Sequence, residues 1–75
     1  MNRNLKIGKL ARAVKEWRGA YDSREERWIR TPDKSALPRV VRWLHELGLG
    51  TQENVEKIGT FKSYRDFDAW LRQQK

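Results

Sequence analysis

Residues 35–48, SALPRVVRWLHELG, decide the fold. Leu37, Val40, Val41, Leu44 and Leu47 recur at i, i+3, i+4, i+7 and i+10, the spacing of one helix face. Ser35 is the expected N-cap, because its hydroxyl can accept a hydrogen bond from a free first-turn N–H. Pro38 then falls in the first turn, where its missing N–H breaks no intrahelical bond. Gly48 follows the last periodic residue and can take the left-handed conformation that closes a helix. A chain of 75 residues has room for one core, and this helix offers it five aliphatic side chains.

Upstream, residues 1–21 read as a first helix. Ile7, Leu10, Ala11, Val14, Trp17 and Tyr21 mark its apolar face, Asn4 is the expected N-cap and Gly19 the expected terminator. Cations fall at every third position: Arg3, Lys6, Lys9, Arg12, Lys15 and Arg18. At about 100° per residue this series winds round the cylinder and forms no stripe. Lys9, Arg12 and Lys15 lie opposite the apolar face, while Lys6 and Arg18 flank it.

Residues 17–31 support two readings. Ser23 with Glu26 three positions on is a capping-box pattern, which favours a helical turn over about 24–30. Against it, Trp17, Gly19 and Tyr21 alternate, and Arg27-Trp28-Ile29-Arg30-Thr31 has strand-like composition, which together spell a small β-hairpin. The helical turn is the preferred expectation, since an isolated hairpin is marginal unless it packs on helices.

Downstream, Thr51 is expected to cap a short helix with Val55 and Ile58 inward and Gly59 as terminator. Ser63 opens a last helix with Tyr64, Phe67, Trp70 and Leu71 on its apolar face. Residues 43–50, WLHELGLG, are similar to the W-L-x-x-L-G-L run of sterile-alpha-motif domains; the likeness covers eight residues, and neither fold nor function is carried over from it. The expectation is an all-α single domain, residues 1–75, of four to five short helices, with the hairpin at about 17–31 as the variant.

Composition narrows the chemistry. There is no cysteine and one histidine, so no disulfide framework and no thiolate or histidine-rich metal site. No apolar run is long enough for a signal peptide or a membrane span, and the chain reads as cytoplasmic. The formal net charge of +7 points to an anionic partner. Two of the four tryptophans, Trp17 and Trp70, fit apolar helix faces; Trp28 and Trp43 flank arginines and can be half exposed, as stacking platforms or partner anchors. His45 has no orienting partner nearby in sequence and reads as a surface residue. Asp66 and Asp68 are separated by about 200° on a helix and cannot form a carboxylate pair. No nucleophile elbow or phosphate-cradling glycine loop occurs. The last two helices mimic a helix-turn-helix, but Asp66 and Asp68 in the would-be reading helix repel phosphate.

These observations predict a protein that is not an enzyme and needs no cofactor or metal. The first expectation is a nucleic-acid-binding accessory or regulatory protein, DNA ahead of RNA. Lys6, Lys9, Arg12, Lys15, Arg18, Arg27 and Arg30 would contact phosphates without sequence choice. The alternative is a small protein-interaction module, an inhibitor or adaptor, that docks on an acidic face of a partner through Trp28 and Trp43. A membrane partner is not expected, and a homodimer sharing a core is compatible with the composition.

Overall fold

Four α-helices and one two-stranded hairpin make up residues 2–74, the residues described by the computed structural model. In chain order these are α1 (Arg3–Arg18), β1 (Ala20–Asp22), β2 (Arg27–Arg30), a 3-10 turn (Lys34–Ala36), α2 (Leu37–Glu46), α3 (Gln52–Thr60) and α4 (Tyr64–Arg72). The architecture is therefore mostly helical without being purely all-α.

Helix α1 starts one turn's fraction earlier than expected. Asn2, not Asn4, supplies the cap, its side chain accepting from the Leu5 N–H at 2.9 Å. The helix stops at Gly19, whose N–H donates to the Lys15 carbonyl at 2.8 Å with φ +71°. A Cβ at this position would lie 2.5 Å from the Arg30 carbonyl oxygen and 2.7 Å from the Pro32 nitrogen, so only glycine lets the hairpin's return strand pass so close. Tyr21, expected on the helix, lies beyond this break in β1.

The hairpin expected at 17–31 is narrower, running from Ala20 to Arg30: Trp17 and Arg18 end α1, and no helix forms over 24–30. The Asp22 carboxylate accepts from the Arg24 N–H at 2.9 Å and the Glu25 N–H at 3.3 Å, building a side-chain-supported turn. Glu26 then takes φ +54°, a left-handed backbone that no helix first turn accommodates, so the Ser23–Glu26 capping box never forms. Tyr21 pairs with Trp28, and a register shift between Ala20 and Tyr21 leaves Ile29 as the extra residue of a bulge. Tyr21 and Trp28 meet edge to face with ring centroids 5.0 Å apart, a cross-strand contact that steadies a ribbon of only two strands. After β2 the chain closes back on α1: the Asp33 N–H donates to the Glu16 carbonyl at 3.0 Å.

Helix α2 begins at Leu37, and Ser35 is not its cap. Asp33 instead accepts from both the N–H (2.9 Å) and the hydroxyl of Ser35 and winds residues 34–36 into the 3-10 turn that runs directly into the helix. The Ser35 hydroxyl and then its N–H hold the Asp33 carboxyl below the ordinary value of 3.8. A depressed carboxyl contributes stability that is full above that ordinary value and fades as pH falls through the folded-state one. Pro38 occupies the first turn, and Gly48 closes the helix at φ +74°, both as expected.

Leu10, Val14, Val40, Leu44, Ile58 and Phe67 are fully buried, with Ala13, Leu47, Trp70 and Leu71 completing the core and Trp17, Trp43 and Phe61 packed around it. Val41 is 39% exposed. It lies about 80° from the mean direction of Leu37, Val40, Leu44 and Leu47, so a helix that meets α1 along one seam leaves it at the edge. Helix α3 runs through Gly59 to Thr60, one residue past the expected stop, with Gly59 against the Trp17 ring. Thr51 and Ser63 cap α3 and α4 as expected.

Leu44→Ala should lower unfolding free energy by about 2–5 kcal/mol, whereas Val41→Ala should change it by about 0.5 kcal/mol or less. Urea denaturation followed by circular dichroism measures both; similar losses would contradict this packing.

Candidate functional site

Seven cations and two tryptophans were candidates for contact with a partner, and the fold distributes them unequally. Lys6 turns toward the end of α2, its Nζ 3.9 Å from the Glu46 carboxylate and 3.4 Å from the Glu46 carbonyl. Arg12 is paired with Glu16 at 3.9 Å, and Glu16 is held more tightly by Arg39 at 2.7 Å. Arg27 is bonded to Glu25 within the hairpin. Arg30 lines a shallow depression with Arg12 and Lys34, but Glu16 and Asp33 line it too, so its charge is mixed. Lys9 lies 5.9 Å from the centroid of Trp43, which also carries the Arg42 guanidinium at 5.2 Å. Trp43 is thus a half-buried ring with cations over it, whereas Trp28 is 47% exposed on the hairpin.

Arg18 departs most from expectation. It faces inward, and its guanidinium donates one hydrogen bond to the Ile58 carbonyl and one to the Phe61 carbonyl. These oxygens lie in the last turn of α3 and in the residue that follows it, where the helix dipole favours a cation; the Ile58 oxygen also accepts the Phe61 N–H at 3.4 Å. The arginine fork therefore caps another helix forty residues away in sequence.

This contact shapes a groove of about 470 Å³ between the end of α1, the hairpin and the α3–α4 connection. Tyr21, Trp28, Phe61 and Tyr64 supply aromatic lining, and Lys15, Arg18 and Lys62 supply charge; among the described residues no carboxylate lines it. The Lys15 ammonium sits 4.6 Å from the centroid of the Tyr64 ring, close enough for a cation–π attraction. Burial first, and the Asp68 carboxylate second, push the Tyr64 phenol above its ordinary value of 10.0, so it is a neutral hydrogen-bond donor at pH 7. Asp68 itself is bonded to Arg72 at 3.2 Å.

Of the sequence-predicted residues, the groove thus unites Lys15, Arg18 and Trp28. It leaves Lys6, Lys9, Arg12, Arg27, Arg30 and Trp43 elsewhere. Lys62, Tyr64 and Tyr21 were not among the candidates. Lys62 lies between the two predicted helices, and the apolar spacing places Tyr64 on the core face of the last helix and Tyr21 on that of the first. Tyr64 is in fact 39% exposed and Tyr21 52%. One signal was available: the run Phe61-Lys62-Ser63-Tyr64 interleaves rings with a cation ahead of a helix cap.

Among the described residues no helix is long and apolar enough to cross a membrane, and no group of three His, Cys, Asp or Glu side chains lies close enough to hold a metal ion. The chain matches no protein-family model, no curated protein and no solved structure.

Arg18→Ala should destabilise the domain by about 1–3 kcal/mol, because it removes two charge-assisted hydrogen bonds and takes this donor from the Phe61 carbonyl. Arg18→Lys should recover little of that, because one ammonium cannot reproduce the fork. Lys9→Ala should stay within about 0.5 kcal/mol of the parent. Chemical denaturation of the three variants tests this, and an Arg18→Ala protein as stable as the parent would refute the capping role.

Proposed function

We propose that this chain is a non-enzymatic nucleic-acid-binding protein, an accessory or regulatory factor that holds phosphates without sequence choice, DNA ahead of RNA. The observation that carries the reading is the groove in which Lys15, Arg18 and Lys62 gather with no carboxylate among the lining residues. A protein with a net charge of +7 already attracts polyanions at long range, and a site lined by one sign of charge concentrates that field. Lys9 extends the cationic surface along α1; it makes no ion pair among the described residues. Arg12, Arg27 and Lys6 are expected to contribute less, since each must share itself with a nearby carboxylate.

A second reading, a docking module for an acidic protein face, is favoured by one observation. Trp28, Tyr21 and Ile29 leave apolar surface exposed on the hairpin beside Arg27 and Arg30. The two readings differ in salt dependence and in polymer binding.

Fluorescence-anisotropy titration of labelled DNA and RNA separates them. Neutralising about four phosphates predicts an affinity drop of about 10²-fold between roughly 50 and 200 mM salt. Lys15→Glu and Lys62→Glu should each weaken binding and reduce the salt slope by about one. No binding at the lower salt concentration would discard the nucleic-acid reading.

A further inference from the structure

We infer that the groove between the hairpin and the α3–α4 connection receives an unpaired nucleotide of a single-stranded nucleic acid, its base stacked on the exposed aromatic rings and its phosphate against Lys15 and Lys62. The inference rests on the nucleic-acid reading above and narrows it to one polymer form and one site.

Two properties of the groove must be answered together by any occupant. The first is charge. Among the described residues, the Arg18 guanidinium at its wall is answered by the Ile58 and Phe61 carbonyls, which are dipoles without net charge, and Lys15 and Lys62 add two more cations. An apolar segment would bring no negative charge to balance the three cations. The second is the exposed ring surface. Trp28 and Tyr21 are about half exposed, and an edge-to-face contact covers one face of one of the two rings at most. Tyr64 adds a third half-exposed ring. A planar base beside a phosphate meets both demands, because every base has a π-face that stacks on aromatic side chains without regard to sequence.

Pairing state follows from geometry. In a duplex the faces of each base are covered by its neighbours, and only edges and phosphates are offered to a protein. A base can reach the rings of this groove only when it is free of the stack. The volume, about 470 Å³, lies in the range of pockets that enclose small molecules, room for a nucleotide and not for a double helix.

The test compares a labelled oligothymidylate with a mixed-sequence duplex of equal length, by anisotropy at one low salt concentration, using the full chain. The parent should prefer the single strand. Trp28→Ala should weaken single-strand binding about fivefold or more, with duplex binding changed less than about twofold. Trp28→Phe, which keeps an aromatic face, should retain most of the affinity, and Tyr64→Ala should behave like Trp28→Ala. Circular dichroism of each variant verifies that the fold is kept. If single strand and duplex bind but neither aromatic loss discriminates between them, the groove assignment is overturned and phosphate binding stands. If the oligonucleotide is displaced by free thymidine monophosphate at equal nucleotide concentration, the strand assignment is overturned. If no nucleic acid binds, the groove assignment and the wider reading fall together.

Discussion

The Arg18 guanidinium, clasping two carbonyls at the end of α3, is the contact on which the groove between α1, the hairpin and the α3–α4 connection depends. It adds charged donors to carbonyls at the end of α3, where the helix dipole favours a cation, and it ties the C-terminal end of α1 to the α3–α4 connection. One residue later the chain must reverse, and the left-handed Gly19 allows the end of β2 to pass where no side chain would fit. A charged group and a glycine, adjacent in sequence, thus place the helix end, the hairpin and the connector around one space.

The rest of the domain provides a rigid support for that arrangement. Helices α1 and α2 share the seam formed by Leu10, Val14, Val40 and Leu44, and α4 closes it with Phe67, Trp70 and Leu71. Large rings compensate for a short chain, since each buries about 150–250 Å². The hairpin contributes little to that core: all four residues of β2 are exposed. It is held by its ends, at Gly19 and at the Asp33–Glu16 hydrogen bond, and by the Tyr21–Trp28 pair. A ribbon held this way can present aromatic side chains that a core element would have to bury.

The four helices were legible in the sequence because local signals agreed with one another. Residues 35–48 combine an aliphatic period, a first-turn proline and a terminal glycine, and Thr51 and Ser63 cap the helices they precede. Legibility ended where local signals competed. Ser23 and Glu26 spelled a capping box, but the Asp22 side chain took the free N–H groups first and the turn went to a hairpin. The Ser35 cap failed for the same reason, with Asp33 as the earlier competitor. Arg18 was unreadable in a different way. Its partners are main-chain carbonyls forty or more residues distant, which carry no residue-type signature. The groove is a tertiary object of this kind, so the sequence named Lys15 and Trp28 separately, with nothing to say that Lys62 and Tyr64 would join them.

The proposed nucleic-acid contact is at this groove and not at the α2 face carrying Trp43. Backbone and indole NMR shifts of isotope-labelled protein, titrated with a single-stranded oligonucleotide, test it directly. The perturbed signals should cluster at Lys15, Tyr21, the Trp28 indole N–H, Lys62 and Tyr64, with the Trp43 indole little changed. Perturbations centred on Trp43, Arg42 and Lys9, or none at saturating oligonucleotide, would contradict it.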